Sequence, residues 1–296
     1  MTPLLELRHV SYAYHSKNGE TYALSDLNFQ VQRGEFIAVV GPSGCGKSTL
    51  LSLISGLLLP ESGSVLFEGR KDNGFREKIG YMLQKDHLFE WRTIYGNVTL
   101  GLEIAHRLNE ESRMRIDKML MDYGLYRFRN ARPAELSGGM RQRAALIRTL
   151  ALEPELLLLD EPFSALDFQT RLSVCDDVAS ILRKEKKTAI LVTHDLSEAV
   201  SMADRIIVLT KRPARIRCVL DLSFAEKHLS PFERRNAPEF RTYFNLLWKE
   251  INVREDGMTE EIPEKRPEKR PEKIQEKITD ENPDENPEQK EGEYGE

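Results

Sequence analysis

The stretch GPSGCGKST, residues 41–49, decides the fold, because it lies between an apolar strand-like run and an apolar helix-like run. It matches the pattern GxxxxGK[ST], in which glycines let the backbone wrap closely around a phosphate. In such a loop Lys47 reaches the β- and γ-phosphates and Ser48 offers a hydroxyl to Mg²⁺. We predict a nucleotide site formed by Gly41, Pro42, Ser43, Gly44, Cys45, Gly46, Lys47, Ser48 and Thr49.

The runs on either side of this loop predict an α/β protein. Strands are expected at 4–10, 27–31, 36–40, 64–69, 78–83, 156–159, 188–194, 205–210 and 215–220. Helices are expected after the loop, over 94–122, after Ser137, and over 168–184 and 237–251. Apolar strands alternating with helices indicate a parallel sheet flanked by helices, and the strand-rich beginning indicates an N-terminal antiparallel β layer.

Two carboxylates follow the apolar run LLLL at 156–159. Asp160 ends this predicted strand, where it can hold Mg²⁺. Glu161 lies beyond the strand, where it can face the γ-phosphate and polarise water. Alone, such a pair would indicate a solvated turn. Behind a buried strand and a phosphate loop, it predicts a metal ligand and a catalytic base.

Two further polar residues follow predicted strands. His194 lies at the sheet edge where open α/β sheets bind nucleotides, and we predict that it contacts the γ-phosphate. Gln84 could reach Mg²⁺ or the attacking water. The predicted catalytic residues are thus Glu161, His194, Gln84 and Lys47, and the predicted metal ligands are Ser48, Gln84 and Asp160.

A second anion site is predicted at LSGGMRQR, residues 136–143. A serine followed by two glycines at the start of a helix presents free backbone N–H groups at the positive end of the helix dipole. Ser137, Gly138 and Gly139 therefore look like a surplus phosphate loop in a chain that already has a better one.

In order and spacing, these motifs resemble the ATP-binding subunits of ABC transporters. GPSGCGKST resembles the Walker A motif of that family, LSGGM its signature, LLLLDEP its Walker B motif and SALD (164–167) its D-loop. Gln84 and His194 match its Q-loop and switch histidine. The resemblance covers about residues 4–220 and implies a P-loop ATPase core with a helical subdomain.

The resemblance also implies the ligands and the first partner. Members bind ATP with Mg²⁺ and pair head to tail as ATP-dependent homodimers, so that the signature of one chain caps the γ-phosphate bound by the other. Most members have Gln where this chain has Met140. An aromatic residue stacks on adenine, and both Tyr12 and Tyr14 fit its place; we favour Tyr14.

Finer features resemble the nitrate/sulfonate/taurine group of importer ATPases. They are LQKDHLFEWRTIYGNVTLGLE (83–103), SGGMRQR and LTKRPARI (209–216), although Glu90 stands where many members have proline. This implies transmembrane permease subunits as partners, and indirectly a solute-binding protein. It places the chain in the cytoplasm, peripheral to the inner face of the cell membrane. Phe89 and Trp91 either grip the permease or pack locally.

The composition of the chain narrows the classes of protein to which it can belong. Residues 255–296 carry a net charge of −9, which leaves +4 for residues 1–254 out of the chain's −5. This balance gives no indication of nucleic-acid binding. The N-terminus has no signal-peptide pattern, and the three cysteines have no metal-site spacing. The loop position of Cys45 predicts a lowered thiol pKa, and Cys175 is predicted to lie in the core.

The chain is expected to divide into three parts. Residues 1–221 form the ABC-type ATPase domain, with the helical subdomain at about 85–150, and 222–254 form a helical extension. The proline-rich, charged tail at 255–296 is expected to be disordered. The rival interpretations are a non-transport ABC ATPase, which usually carries two cassettes or a long coiled coil, and a P-loop kinase or GTPase, which has no use for LSGGM.

Overall fold

The computed structural model describes residues 2–17, 19–71, 73–226 and 229–252. Its strands are β1 (Leu5–Ser16), β2 (Gly19–Val31), β3 (Phe36–Val40), β4 (Ser62–Phe67), β5 (Ile79–Met82), β6 (Leu156–Asp160), β7 (Thr188–Val192), β8 (Arg205–Leu209) and β9 (Ile216–Asp221). Its α-helices are α1 (Lys47–Ile54), α2 (Ile94–Ile104), α3 (Glu110–Asp122), α4 (Gly138–Leu150), α5 (Phe168–Lys184), α6 (Leu196–Met202), α7 (Pro231–Asn236) and α8 (Pro238–Asn252). The predicted α/β class is confirmed.

The centre of the molecule is a sheet in the order β5-β6-β7-β3-β8-β9, parallel except for β9. Strands β3, β6 and β7 are buried along their whole length, as strands covered on both faces must be. Val39 and Asp160 both pair with Val192, and Met82 pairs with Leu159. The chain segments that follow these strands therefore leave the sheet at one edge.

An antiparallel sheet in the order β2-β1-β4 forms the N-terminal layer. Its buried residues, among them Leu5, Leu7 and Val10, pack with one face of the parallel sheet around α1. The other face of the parallel sheet packs with the helices, and Cys175 lies in that core as predicted. The predicted β layer is thereby confirmed, and it is longer than the short runs at 4–10 and 27–31 indicate.

The predicted helical stretch 94–122 consists of two helices. α2 ends at Ile104, and α3 begins after Asn109, whose side chain accepts a hydrogen bond from Ser112 N while Ser112 Oγ accepts one from Asn109 N. This reciprocal capping satisfies the free N–H groups of a new helix start. α4 packs against α2 and α5, which places its first turn beside the segment that follows β6.

The helical extension packs on the helix that follows β7. α7 and α8 both contact α6, and Leu247 of α8 is fully buried. Among the described helices, none combines the length and the apolar composition that a membrane crossing needs. The tail at 255–296, predicted to be disordered, lies outside the described residues.

Candidate functional site

The phosphate loop makes a tight connection between β3 and α1. Gly44 and Gly46 have φ angles of 72° and 120°, which residues with a Cβ rarely adopt. A Cβ on Gly46 would also lie 2.8 Å from Leu24 Cδ2 and 3.1 Å from Ala23 O. Glycine is therefore required here both by backbone conformation and by the closeness of β2.

Lys47 lies inside this loop. The residue is only 6% exposed, and its Nζ donates to the carbonyl oxygens of Gly41 and Pro42 at 2.9 and 3.1 Å. These two bonds offset the desolvation of the ammonium group. A fixed positive charge within a curved run of backbone N–H groups is a site for phosphate oxygens.

Ser48 and Asp160 come together as the sequence predicts. Ser48 Oγ donates to Asp160 Oδ1 at 3.2 Å, and Tyr81 OH lies 3.4 Å from Asp160 Oδ2. Burial raises the pKa of Asp160, while the hydrogen bonds from Ser48 and Tyr81 counteract it. Burial and the nearby Asp160 raise the pKa of Tyr81 to about 12, so the phenol remains a donor. A hydroxyl beside a carboxylate suits a hard cation such as Mg²⁺.

Glu161 has a different environment from its neighbour Asp160. Its φ of 45° is left-handed, and its N–H donates to Val192 O at 2.8 Å. This turn takes the side chain out of the strand pattern, and Glu161 Oε2 lies 3.0 Å from His194 Nδ1. The structure therefore brings the predicted base and the predicted switch histidine into direct contact.

Gln84 joins the same pair. Its Nε2 lies 3.4 Å from Glu161 Oε2 and 3.5 Å from Ser164 Oγ. Three of the four predicted catalytic side chains, from segments that follow β5, β6 and β7, thus meet at one edge of the sheet. In the described residues, the hydrogen-bond partners of Gln84 are Glu161 and Ser164 rather than Ser48 or Asp160.

The two candidate aromatic residues differ in their surroundings. Tyr14 is 43% exposed, and its OH lies 3.0 Å from Thr49 Oγ1 in the first turn of α1. Tyr12 is half-buried and packs against the core of the antiparallel layer. The two rings are edge-on, with centroids 5.0 Å apart. Of the two, Tyr14 is the more exposed, and its OH contacts the end of the phosphate loop.

The signature segment begins α4. Ser137 caps the helix by accepting a hydrogen bond from Met140 N at 3.3 Å. A Cβ on Gly139 would lie 2.7 Å from Thr170 Cγ2, and one on Gly138 would lie 3.2 Å from Leu166 Cδ2. Gly138 thus allows the helix start to approach the segment between β6 and α5, and Gly139 allows it to approach the first turn of α5. No hydrogen bond between described residues joins 137–139 to the phosphate loop at 41–49.

Cys45 departs from its prediction. The sequence-based expectation of a lowered thiol pKa is wrong, because the residue is 1% exposed and burial raises the pKa of its thiol. Nearby Lys47 and Arg212 favour the thiolate, and desolvation outweighs them.

Several residues of the site were not predicted from the sequence. Tyr81 contacts the carboxylate of Asp160, Ser164 donates to the backbone carbonyl of Glu161, and Glu198 accepts a 2.6 Å hydrogen bond from Thr193, the residue before His194. Glu198 is 3% exposed, and burial raises its pKa to about 7. A glutamate as the single charged residue of the helix LSEAVSM is the one signal that could have indicated it.

Comparison with known proteins gives consistent matches. Residues 24–164 match the ABC transporter family. The uncharacterized ABC transporter ATP-binding protein YtlC of Bacillus subtilis is 49% identical over 85% of this chain and 96% of its own length. The aliphatic sulfonates import ATP-binding protein SsuB of Bacillus licheniformis is 39% identical over 85% of this chain and 95% of its own.

A solved structure resembles the fold as well. It is a dimeric, post-hydrolysis state of the ATP-binding cassette MJ0796 bound to ADP and Pi, with a TM-score of 0.65 and 33% identity. The match covers 74% of this chain and 99% of that one.

Proposed function

This chain belongs to the ATP-binding proteins of ABC transporters and is an ATPase, and we propose that it couples ATP hydrolysis to solute import through a membrane permease. The observation that carries the catalytic part is the contact of Glu161 with His194 and Gln84 beside the phosphate loop. The remaining parts rest on the importer relative and on exposed apolar side chains.

The residues fit ATP with Mg²⁺. Lys47 and the loop 41–49 would hold the phosphates, and Tyr14 would stack on the adenine. Ser48 and Asp160 would hold the cation, with Gln84 reaching toward it from the Glu161 side. The cation would supply charge neutralisation at the β- and γ-phosphate oxygens.

The chain's own groups would carry the proton and orient the reactants. Glu161, a carboxylate whose Oε2 faces His194, would orient a water molecule in line with the γ-phosphate and accept its proton. His194 would hold Glu161 on one side and contact the γ-phosphate on the other. Lys47 would stabilise the negative charge that accumulates on the phosphate oxygens.

We further propose that two chains share each ATP. Ser137 is exposed and has no hydrogen bond to its own phosphate loop among the described residues, so its helix start is free to face a second chain. Ser137, Gly138 and Gly139 of one chain would then cap the γ-phosphate held by the other. The solved structure that this chain resembles is named as dimeric with ADP and Pi, which supports the pairing of two chains.

The permease contact is proposed at the loop before α2. Trp91 is 72% exposed and Phe89 37%, with ring centroids 4.8 Å apart. The buried Asn97 fixes this loop by accepting from Phe89 N at 2.7 Å and donating to Phe89 O at 3.1 Å. A mainly apolar cavity of about 340 Å³ beside Phe89 could receive a helix from the permease.

The partners and location follow from this contact. The chain would sit on the cytoplasmic face of the membrane, bound to transmembrane permease subunits, and would respond indirectly to a solute-binding protein. Its solute would be a small molecule of the nitrate, sulfonate or taurine type. We propose the division of residues 1–254 into an ATPase domain at 1–221, with its helical subdomain at about 85–150, and a helical extension at 222–254, whose described part ends at Asn252.

The catalytic part is tested with Glu161→Gln. The amide keeps the size of the side chain but cannot accept the proton of water, so hydrolysis should fall by about 10²- to 10⁴-fold. ATP binding should persist, and a dimer with two trapped ATP molecules should accumulate on size-exclusion chromatography. Near-normal hydrolysis by the variant would refute the role of Glu161.

The transport part is tested by purification from membranes. The tagged, full-length chain should retain a polytopic permease in mild detergent. Retention of ribosomes or DNA instead, without a membrane protein, would favour a non-transport ABC ATPase.

A further inference from the structure

Arg171, in the first turn of α5, joins two loops of the site. Its Nη2 donates to Leu166 O at 3.0 Å, in the loop 164–167. Its Nη1 donates to Asp195 Oδ2 at 3.2 Å, and its Nε lies 3.8 Å from Glu198 Oε1. One planar guanidinium group thus connects the segment after β6 with the segment after β7.

The two carboxylates that Arg171 contacts after β7, those of Asp195 and Glu198, lie close to His194 in the chain. Asp195 follows it and caps α6 through Oδ1, which accepts from Ser197 N at 2.8 Å. Thr193 precedes it and donates from Oγ1 to Glu198 Oε2 at 2.6 Å, while the same hydroxyl accepts from Asp195 N at 3.0 Å. The residues on both sides of His194 are therefore linked by hydrogen bonds to Asp195 and Glu198, the two side chains that Arg171 contacts on this segment.

The segment after β6, which Arg171 contacts at Leu166, is in turn bonded to Glu161. Ser164 Oγ donates to Glu161 O at 3.0 Å, and Asp167 caps α5 by accepting from Thr170 N at 3.1 Å. Glu161 therefore receives Ser164 on its carbonyl and His194 on its carboxylate. Each of the two loops that Arg171 joins therefore contacts Glu161, one through Ser164 and the other through His194.

We propose that Arg171 is a positioning residue for hydrolysis, which holds the His194 loop and the loop 164–167 in one fixed arrangement around Glu161. This inference rests on the roles proposed above for Glu161 and His194. The start of α4 packs on the loop 164–167 through Gly138. Arg171 therefore also fixes the position of the His194 loop relative to the surface proposed to meet the second chain.

Burial makes this contact difficult to replace. The side chain of Glu198 is only 4% exposed and that of Arg171 25% exposed. Without Arg171, Glu198 would keep Thr193 as its hydrogen-bond donor and would lose its nearest cation. Lysine cannot reproduce the contact, because a single ammonium group lacks the planar fork that donates to both Leu166 O and Asp195 Oδ2 while lying beside Glu198.

The test compares Arg171→Ala and Arg171→Lys with Arg115→Ala as a matched control. Arg115 of α3 is 30% exposed and, away from the site, contacts the carboxylate of Glu153 and the carbonyl of Ala151, where Arg171 contacts two carboxylates and one carbonyl. Arg171→Ala should lower kcat for ATP hydrolysis by about 10- to 100-fold, the effect expected of a misplaced catalytic group. KM for ATP should change by less than about 2-fold, because binding contacts are kept. Arg171→Lys should recover only part of the loss, and Arg115→Ala should match the wild type.

A double-mutant cycle separates positioning from general weakening of the fold. If Arg171 acts through His194, adding Arg171→Ala to His194→Ala should lower the residual kcat by less than about 2-fold. In the single variant, amide hydrogen exchange at 193–198 should accelerate, which remains measurable even where the residual activity is too low. Additive losses with unchanged exchange, or a wild-type kcat in Arg171→Ala, would overturn the proposal.

The outcome is distinguishable from failure of the proposed catalytic site. If Glu161→Gln abolishes hydrolysis while Arg171→Ala does not, only the positioning role fails. If Glu161→Gln hydrolyses ATP normally, the site assignment itself fails.

Discussion

At the scale of single residues, the fold shifts the pKa of Glu198 into a pH range in which its effect on stability can be measured. Burial raises its pKa from 4.5 to about 7, with Asp195 adding to the rise and with Thr193, Arg171 and His194 opposing it. The folded chain therefore holds this proton more tightly than the unfolded chain does. Stability from this group is complete below about pH 4.5 and is lost as the pH rises through about 7.

Glu198→Gln should remove this pH dependence. At pH 8 the variant should be more stable than the wild type by on the order of 2–3 kcal/mol, because it buries an amide rather than a charge, and at pH 5 the two should differ little. The measurement is the midpoint of thermal or urea unfolding at both pH values. Glu226→Gln, at an exposed carboxylate, is the control. A parallel pH dependence in Glu198→Gln and the wild type would contradict the assignment.

The sequence predicts the position of a site residue where a motif defines that position. It predicts much less where burial or contacts with distant segments determine the properties of the residue. The sequence indicates that Glu161 and His194 approach one edge of the sheet, because each follows an apolar strand. It does not indicate that the thiol of Cys45 is buried, since that depends on the distant β2 and on Leu209 packing around the loop. Nor does it reveal Arg171, whose acceptors lie on two other segments.

At the scale of elements, the strands and helices with one strong pattern were predicted well. The expected strand at 36–40 and helix at 168–184 match β3 and α5. The pattern fails in β1 and β2, whose outer halves are largely exposed and pair with each other, so that no apolar alternation marks them. The division between α2 and α3 depends on capping by Asn109, which hydrophobic periodicity does not record.

The beginning of α4 carries the next prediction. Ser137→Arg should leave ATP binding by the single chain unchanged and should prevent ATP-driven dimerisation and hydrolysis. The reason is that a bulky cation would occupy the place proposed for the partner's γ-phosphate, and its charge would oppose the positive end of the helix dipole. ATP binding, dimerisation by light scattering and phosphate release are measured together.

Loss of the helix cap must be separated from this effect. Ser137→Ala removes the cap without adding bulk and should cost about 1 kcal/mol of stability. Ser230→Arg makes the same replacement at the cap of α7, where Ser230 Oγ accepts from Glu233 N at 3.2 Å. Both controls should still dimerise, and a dimerising, active Ser137→Arg variant would refute the site shared between two chains.

At the scale of the whole molecule, the described fold separates the proposed catalytic site from the proposed permease contact. The side chains proposed to be catalytic lie at one edge of the parallel sheet, whereas Trp91 and Phe89 lie on the loop that leads into α2. The two regions are connected through Asp86: Arg141 of α4 contacts its carboxylate at 3.1 Å, and Arg148 donates to its carbonyl at 2.7 Å. A permease that moved this loop would therefore also move the helix that begins with the signature segment.

This separation predicts the behaviour of Trp91→Ala. The isolated variant should hydrolyse ATP as the wild type does, because Trp91 is 72% exposed and has no contact with the nucleotide site among the described residues. Its retention of the permease should fall by roughly 30-fold or more, since an exposed tryptophan at the centre of an interface commonly contributes 2 kcal/mol or more. Co-purification from membranes at matched expression levels measures the loss.

Trp248→Ala provides the control for removing a large exposed ring. Trp248 is 58% exposed on α8, stacks against Phe244 and lies in the helical extension. Its removal should leave both hydrolysis and permease retention unchanged, because α8 packs on α6, α7 and β8, which lie outside the proposed permease contact. If Trp91→Ala retained the permease as well as Trp248→Ala does, the ring would only pack locally against Phe89, and the contact with the permease would have to lie elsewhere on the chain.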